Sequence, residues 1–196
     1  MSTQTAPSVP TREVNGIEVP AAGRYELDAS HSSVGFSVRH LMVSKTKGRF
    51  ADFAGTITIA EDPLESSVEV EIQVASIDTR DAGRDEHLRS ADFFDAQANP
   101  VITYRSTKVS PTAKGAWIVD GELTVGGVTQ PVPLTVSFGG GAVDPWGNAR
   151  IGFEAHTEID REAFGLSWNQ ALETGGVLVG KVVKVDIEAE AVAVAS

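Results

Sequence analysis

Hydrophobic and polar residues alternate with a period of two along most of the chain. Valine and isoleucine alternate with glutamate and glutamine in residues 68–74, and residues 183–190 show a similar alternation. Residues 34–39 and 132–138 repeat it with phenylalanine, valine and leucine at the hydrophobic positions. Because successive side chains of a β-strand point to opposite faces, this pattern predicts strands with one buried and one solvent-facing side.

Glycine and proline indicate where strands turn or lose a partner. Gly126 and Gly127 separate two short strand-like runs, which predicts a two-residue hairpin loop with positive φ at both positions. Pro131 and Pro133 have no backbone N–H to donate. We therefore expect their strand to lie at a sheet edge, or to begin with a partner on one side only.

One segment departs from the period of two. Residues 81–90 are rich in charge, begin with an acidic residue and carry Arg89 near the end. These features predict a short α-helix that lies outside a barrel wall or across its mouth. Phe93 and Phe94 follow directly and are expected to anchor this helix.

The alternating runs amount to about eight strands, with one short helix. An all-β, closed antiparallel barrel fits this set, because closure removes exposed sheet edges and a barrel of about eight strands can hold one small ligand. A β-sandwich has similar strand spacing, and the periodicity alone does not choose between the two folds.

The length of 196 residues predicts a single folded domain. Residues 1–22 are rich in Ser, Thr, Pro and Ala, and we expect a flexible N-terminal tail there, followed by one barrel domain over residues 23–196. The tail has neither the basic start nor the apolar block of a secretory signal, which favours a cytoplasmic location.

Composition narrows the classes of partner and chemistry. Hydrophobic residues at 41% and charged residues at 22% are typical of a soluble globular protein, and no apolar run indicates a membrane-spanning segment. A net charge of −11 argues against nucleic acid as a partner. The absence of cysteine excludes disulfides, thiolate catalysis and cysteine-based zinc sites, and no cofactor is predicted.

Residues 29–51 contain no acidic residue, although the chain has 27. Four cations in this window would share one face of a regular strand, opposite His40: Arg39, Lys45, Lys47 and Arg49. In so acidic a protein such a row indicates a site for an anionic head group, for example pyrophosphate or carboxylate. The alternative is a solvated strand face, or a loop at residues 43–46.

Arg84 and His87 lie three residues apart, so on a helix they face the same side, with Leu88 adjacent. This spacing predicts two donors for a polar head group at a cavity mouth. The alternative is structural, with Arg84 paired to local acids and His87 donating to a backbone carbonyl.

The other histidines give weaker signals. His31 follows Asp28 and precedes two serines, a cluster that fits either an acid–base site or a turn. The chain has no Gly-x-Ser-x-Gly motif, which favours the turn. His156 and Glu158 share a strand face, but two ligands are too few to predict a metal site.

Aromatic residues are numerous enough either to fill a barrel or to line one. We expect an enclosed apolar tunnel, with aromatic ligand contacts from Phe36, Phe50, Phe53, Phe94, Phe153 and Trp168.

Several local sequences resemble the YceI-like family. They are Asp-Ala-Ser-His-Ser-Ser at 28–33, Phe-Ser-Val-Arg-His-Leu at 36–41, Lys-Gly-Arg-Phe-Ala-Asp-Phe at 47–53, Arg-Asp-Glu-His-Leu-Arg-Ser at 84–90 and Phe-Gly at 164–165. The resemblance implies a lipocalin-like barrel that binds a polyisoprenoid lipid. The helix signature of the family falls on Arg84, Asp85, His87 and Leu88. Many members of the family are exported.

The combined expectation is non-catalytic binding or carriage of a long-chain polyisoprenoid or similar amphipathic lipid. Arg39 is the first choice for contacting an anionic head, because its planar fork can bind phosphate through two hydrogen bonds. One alternative is an enzyme that acts on a small amphipathic substrate through His31, His40 or His87. Another is a stress-related interaction protein with a packed barrel. A homodimer is compatible with each of these three functions.

Overall fold

A computed structural model describes residues 10–173 and 175–194 of the chain. The strands are β1 (Thr11–Val14), β2 (Ile17–Pro20), β3 (Gly23–Leu27), β4 (Ser33–His40), β5 (Ser44–Phe50), β6 (Phe53–Ile59), β7 (Ser67–Gln73), β8 (Ile77–Asp78), β9 (Val101–Pro111), β10 (Trp117–Val125), β11 (Val128–Pro131), β12 (Leu134–Val143), β13 (Ala149–Asp160) and β14 (Val179–Ala193). The α-helix α1 is Ala82–Arg89, and short 3₁₀-helices occupy Pro63–Glu65, Val74–Ser76 and Arg161–Phe164.

Strands β3 to β14 form one antiparallel sheet that closes on itself. Four members of the barrel are continuous strands, namely β9, β10, β13 and β14. The other four are each broken into two segments by a bend: β3 with β4, β5 with β6, β7 with β8, and β11 with β12. Closure occurs at β14, which pairs with β13 along one edge and with β3 and β4 along the other. The predicted all-β antiparallel barrel is therefore confirmed.

The two glycines predicted to form a hairpin loop do so between β10 and β11. Val125 lies opposite Val128, and Gly126 and Gly127 have φ angles of 58° and 76°. The left-handed backbone is open to glycine because it has no Cβ. The turn prediction is confirmed.

The predicted loss of a partner near the two prolines is also found. Among the described strands β11 pairs only with β10, and Pro133 lies in the break before β12. Val132, between the prolines, is buried and donates its N–H to the Gly121 carbonyl at 2.8 Å. The residues between β11 and β12 are therefore still hydrogen-bonded to β10.

The predicted flexible tail over residues 1–22 is wrong for its second half, because β1 and β2 form a hairpin there. Asn15 and Gly16 make the turn with φ angles of 53° and 78°. Arg12 fastens the hairpin to the barrel by donating to the Ala60 carbonyl at 2.6 Å. Asn-Gly between alternating residues is a strong hairpin signal, and the Ser/Thr/Pro-rich start obscured it. Residues 1–9 lie outside the described part of the chain.

The predicted helix is present as α1, within residues 81–90. The Asp81 carboxylate caps it by accepting from the Arg84 backbone N–H at 2.9 Å. Asp85 fixes it to the residue that follows β8, because its buried carboxylate accepts from the Thr79 N–H and hydroxyl at 2.8 and 2.5 Å. Among the described residues, no helix is both long and apolar enough to cross a bilayer.

The barrel core contains one close approach of a side chain to a strand backbone. The buried Tyr104 ring lies over Gly121, and its single hydroxyl proton is shared between the carbonyls of Val119 and Val132, each with its oxygen at 3.0 Å. A Cβ at Gly121 would collide with that ring. Glycine at this position is therefore required by packing.

We expect Gly121→Ala to lower the free energy of unfolding by about 1–3 kcal/mol, since the ring must shift and weaken its two hydrogen bonds. Gly152→Ala is the matched control, because its new Cβ would have no heavy atom nearer than 4.0 Å. Chemical denaturation of both variants measures the difference. Equal losses would show that strand propensity, and not the Tyr104 contact, sets the cost.

Candidate functional site

The inward faces of the barrel strands enclose a cavity of about 340 Å³. This volume lies within the range of small-molecule pockets, about 300–1,000 Å³. The hydrophobic positions of the alternating runs line it, among them Val34, Phe36 and Val38 of β4, Val68, Val70 and Ile72 of β7, and Val183, Val185 and Ile187 of β14. The barrel is hollow, which argues against the packed-barrel alternative.

The N-terminal hairpin closes one end of the cavity. A Cβ at Gly141, which pairs with Ile151 near the start of β13, would touch Pro10 and Thr11, so the hairpin lies beside this end of β13. Val19 of β2 borders the cavity and is only 2% exposed. The hairpin therefore provides an apolar floor.

The opposite end lies beyond the last residue of β13. The end of α1, the residues that follow it and the segment after β13 meet there. Apart from Arg161, the residues of these segments that border the cavity are apolar: Leu88, Phe93, Phe94, Phe164 and Leu166. The Phe94 ring also meets the Phe50 ring edge-on, with centroids 6.0 Å apart. Both ends of the cavity are thus built mainly from hydrocarbon.

Arg161 is the one cation among the described residues that border the cavity, and sequence analysis did not identify it. It is 4% exposed and donates through Nε to the Gly180 carbonyl at 2.9 Å. Its Nη1 donates to the carbonyls of Leu166 and Trp168. Its Nη2 has one long contact, 3.5 Å to the Val179 carbonyl, and so keeps donor capacity.

The charge of Arg161 has no carboxylate within 4.0 Å among the described residues. The flanking Asp160 and Glu162 pair with Lys181 instead, at 3.0 and 3.2 Å. Burial lowers the pKa of Arg161, although these two carboxylates act in the opposite direction. A guanidinium still stays protonated at neutral pH. The flanking acids make Arg161 look like a surface ion-pair residue in the sequence, which hides its burial.

The predicted row of cations shares one face of the strands, but the face is the outer one. Phe36 and Val38 line the cavity, so strand alternation turns Arg39 away from it. Lys45, Lys47 and Arg49 are exposed like Arg39. Arg39 therefore does not border the cavity, and neither does His40 at the last position of β4, so the head-group contact expected of them has no support from the cavity lining and stays a prediction.

Arg84 and His87 also lie outside the cavity lining, and their contact with a head group stays a prediction. Arg84 donates through Nε to the Thr79 hydroxyl at 2.7 Å and through Nη2 to the Thr79 carbonyl at 2.8 Å. His87 Nε2 lies 2.9 Å from a carboxylate oxygen of Asp92. These bonds give both residues a structural role in holding α1 in place, although the hydrogen-bond partners are Thr79 for Arg84 and Asp92 for His87, and not the local acids and backbone carbonyl of the structural alternative.

Trp168 is likewise absent from the cavity lining and packs against aromatic rings beside the end of the cavity. Its ring meets the His87 ring edge-on with centroids 4.7 Å apart, and the Phe93 ring at 5.2 Å. The other predicted ligand residues border the cavity: Phe36, Phe50, Phe53, Leu88, Phe94 and Phe153. Their contact with a ligand remains a prediction.

The barrel, the helix and the motifs have counterparts in known proteins. The YceI-like domain matches residues 25–191. The chain belongs to the YceI-like family. The match begins after the β1–β2 hairpin, so the floor of the cavity lies outside the matched residues.

Relatives of this YceI-like chain include UPF0312 protein plu2095 of Photorhabdus laumondii, 41% identical over 146 residues, which are 73% of this chain and 76% of that protein. A UPF0312 protein of Azotobacter vinelandii is 38% identical over 148 residues, 74% of this chain and 77% of that protein. Among solved structures, a YCEI protein of Campylobacter jejuni has a TM-score of 0.67 at 30% identity, over 86% of this chain and 97% of that one.

Two more distant structures share the fold. BcnA of Burkholderia cenocepacia has a TM-score of 0.73 at 22% identity, over 84% of this chain and 98% of that one. A domain from Saccharophagus degradans, described as polyisoprenoid binding and implicated in plant cell wall breakdown, has a TM-score of 0.63 at 18% identity, over 87% of this chain and 98% of that one.

His31 of the YceI-like domain belongs to a charged cluster outside the cavity. Its Nδ1 lies 2.9 Å from Asp28, whose carboxylate also accepts from Arg150 Nη1 at 2.8 Å. The same Nη1 donates to Glu190 at 2.5 Å, and Arg150 Nε donates to Asp144 at 2.8 Å. Asp28, His31 and Glu190 lie close enough together to hold a metal ion, but Arg150 Nη1 already contacts two of the three groups, Asp28 and Glu190. No histidine among the described residues borders the cavity, which weakens the enzyme alternative.

The cluster shifts the titration of two carboxyl groups. Hydrogen bonds from Ser30, Arg150 and His31 hold the pKa of Asp28 well below its usual value. Burial acts to raise the pKa of Asp144, but hydrogen bonds from Arg150 and Asn148 outweigh it and the net shift is downward. Both carboxylates therefore stabilise the folded state fully above the unfolded pKa of about 3.9, and this contribution is lost as the pH falls through the lower folded values.

We expect the Tm of the wild-type protein to fall when the pH drops below about 4, because these carboxyl groups then bind protons in the unfolded state while the folded state still holds them ionised. Arg150→Met should have a lower Tm at neutral pH and a smaller further fall in acid, because the shared partner is gone. Arg105→Met removes an exposed pair with Glu69 and should follow the wild-type curve. Thermal unfolding at several pH values measures this, and an unchanged acid dependence in Arg150→Met would contradict it.

Proposed function

We propose that this chain binds a long-chain polyisoprenoid or similar amphipathic lipid without catalysis, with the hydrocarbon in the barrel and the polar head beside Arg161. The cavity carries this proposal, because its lining is almost wholly aliphatic and aromatic from the β2 floor to the α1 end. Family membership supports it, and a fold neighbour from Saccharophagus degradans is described as a polyisoprenoid binding domain.

Burial of the hydrocarbon supplies the affinity in this proposal. Removing apolar surface from water stabilises the complex by about 25 cal/mol per Å², or about 0.8 kcal/mol for each CH₂ group. The lining offers few hydrogen-bond partners, so a sugar or peptide would lose its bonds to water without replacement. A prenyl chain loses nothing of that kind.

Arg161 gives the ligand a direction. A buried guanidinium without a carboxylate partner is more stable when an anion comes near it, and Nη2 has donor capacity left. The floor at Val19 is apolar, so it suits the end of a hydrocarbon chain. The ligand therefore lies with its head at the Arg161 end and its tail towards the hairpin.

We expect native mass spectrometry of the protein purified from its own host to retain a mass in the lipid range. Ala155→Phe should reduce that occupancy and weaken prenol binding at least tenfold, since Ala155 lines the cavity and two displaced CH₂ groups at about 0.8 kcal/mol each suffice for that loss. His156→Phe, on the outer face of the same strand, is the matched control. Equal binding by both variants would place the ligand outside the barrel.

We also expect the wild-type protein to bind a prenyl phosphate more tightly than the prenol of the same length, by about 1.5–3 kcal/mol, the scale of a hydrogen bond to a charged group. Arg39→Gln should keep this preference, because Arg39 is exposed on the outer face. Calorimetric titration with both ligands measures it. Loss of the preference for prenyl phosphate in Arg39→Gln would show that the head group binds at the outer row of cations and not beside Arg161.

A further inference from the structure

The loop between β4 and β5 exposes three consecutive hydrophobic residues at its tip. Met42 and Val43 are 63% and 80% exposed, and Leu41 is exposed as well. We call residues 41–43 the apolar tip. Nothing else in the described chain covers these side chains, and no feature of the proposed ligand cavity explains them.

The backbone of the apolar tip does not favour the residues it carries. Leu41 and Met42 have φ angles of 52° and 59°, in the left-handed region where glycine and asparagine are preferred. Two other hairpins of this chain place Asn15-Gly16 and Gly126-Gly127 in such turns. Turn formation therefore does not explain why hydrophobic residues occupy the tip.

Cations surround the apolar tip without acidic partners. Arg39 lies directly across the strand pair from Lys45, and like charges in that position repel each other. Arg39, Lys45 and Lys47 are exposed and have no carboxylate within 4.0 Å in the part of the chain that the structure describes. Arg49, by contrast, is paired with Asp78 at 3.3 Å.

The apolar tip lies at the Arg161 end of the cavity. The Leu41 N–H donates to the Leu178 carbonyl at 2.9 Å, and His40 pairs with Val179. Val179 lines the cavity, and its carbonyl is the long contact of Arg161 Nη2. The tip and the proposed head-group position are thus neighbours.

We propose that the apolar tip docks the barrel on an anionic lipid bilayer. Leu41, Met42 and Val43 enter the head-group region, and Arg39, Lys45 and Lys47 lie against lipid phosphates. This surface goes beyond ligand binding and places the Arg161 end towards the bilayer, where an amphipathic ligand would enter or leave.

Charge and size favour a bilayer over another protein as the occupant. The local positive charge, in a chain of net charge −11, is complementary to an anionic surface. Three residues on a projecting hairpin are far too few for a stable protein interface, which buries about 800 Å² on each partner, whereas a bilayer needs no matching shape. Repulsion from the other acidic surfaces is screened beyond about 8 Å at physiological salt.

Vesicle flotation at physiological ionic strength tests the docking. We expect the wild-type protein to float with vesicles of phosphatidylcholine mixed with phosphatidylglycerol, and much less with phosphatidylcholine alone. Lys45→Gln with Lys47→Gln should weaken binding by about fivefold for each charge removed. Leu41→Asn with Met42→Gly should weaken it at least tenfold while leaving the Tm equal or higher, because these residues suit the turn.

Trp146→Ser is the matched control, since Trp146 is exposed in the turn before β13, at the opposite end of the barrel. It should float like the wild-type protein. The docking proposal is wrong if the wild-type protein ignores phosphatidylglycerol, if Trp146→Ser loses binding, or if the Leu41→Asn, Met42→Gly variant floats normally. It is also wrong if that variant changes only self-association in sedimentation. Binding of a soluble short prenyl phosphate, measured without vesicles, should be the same in all variants, so failure of docking is distinguishable from failure of the ligand proposal.

Discussion

The pairing of β14 with strands on both of its edges is the constraint on which the rest of the structure depends. β14 runs from Val179 to Ala193, and it pairs with β13 on one side and with β3 and β4 on the other. This pairing turns an open sheet into a closed barrel, in which only short segments such as β11 keep an unpaired edge among the described strands. After closure, every second side chain of each strand points into the barrel. These inward side chains do not fill the enclosed space, so a cavity remains.

A hollow apolar interior makes any charge at its border significant. Arg161 is held by backbone carbonyls from residues 166, 168, 179 and 180, which belong to the segment after β13 and the start of β14. One side chain therefore joins carbonyl groups from two separate segments, although the Val179 carbonyl also accepts from Asn169 Nδ2 at 2.8 Å. The same side chain leaves a positive charge beside the apolar cavity lining. Arg161 therefore both holds the surrounding backbone and provides a charge that a polar head group can bind.

Sequence periodicity predicted the strands, the helix of residues 81–90 and the Gly126-Gly127 turn, because each depends on local backbone geometry. Periodicity also placed four cations on one face correctly: Arg39, Lys45, Lys47 and Arg49. It did not indicate which face points into the barrel, because that depends on pairing with strands that are distant in sequence. Arg161 was missed for a related reason. Its burial depends partly on the Gly180 carbonyl at the start of β14, which is distant in sequence. Its neighbours in sequence, Asp160 and Glu162, are acidic and exposed enough to pair with Lys181, so the local sequence is typical of a surface segment.

Three of the bends that break the barrel strands lie side by side. The bend at residues 28–32 is followed across the wall by the one at 51–52 and then by the 3₁₀-helix Val74–Ser76, with the Ala51 N–H donating to the Ser76 carbonyl at 3.2 Å. Together they form a crease that crosses three neighbouring strands, and Arg150 braces its first bend through Asp28. Because the three bends lie at the same level, the wall changes direction there while the ladders on either side of the crease, β3 with β6 and β4 with β5, keep their pairing, so the barrel curves on this side without losing strand hydrogen bonds.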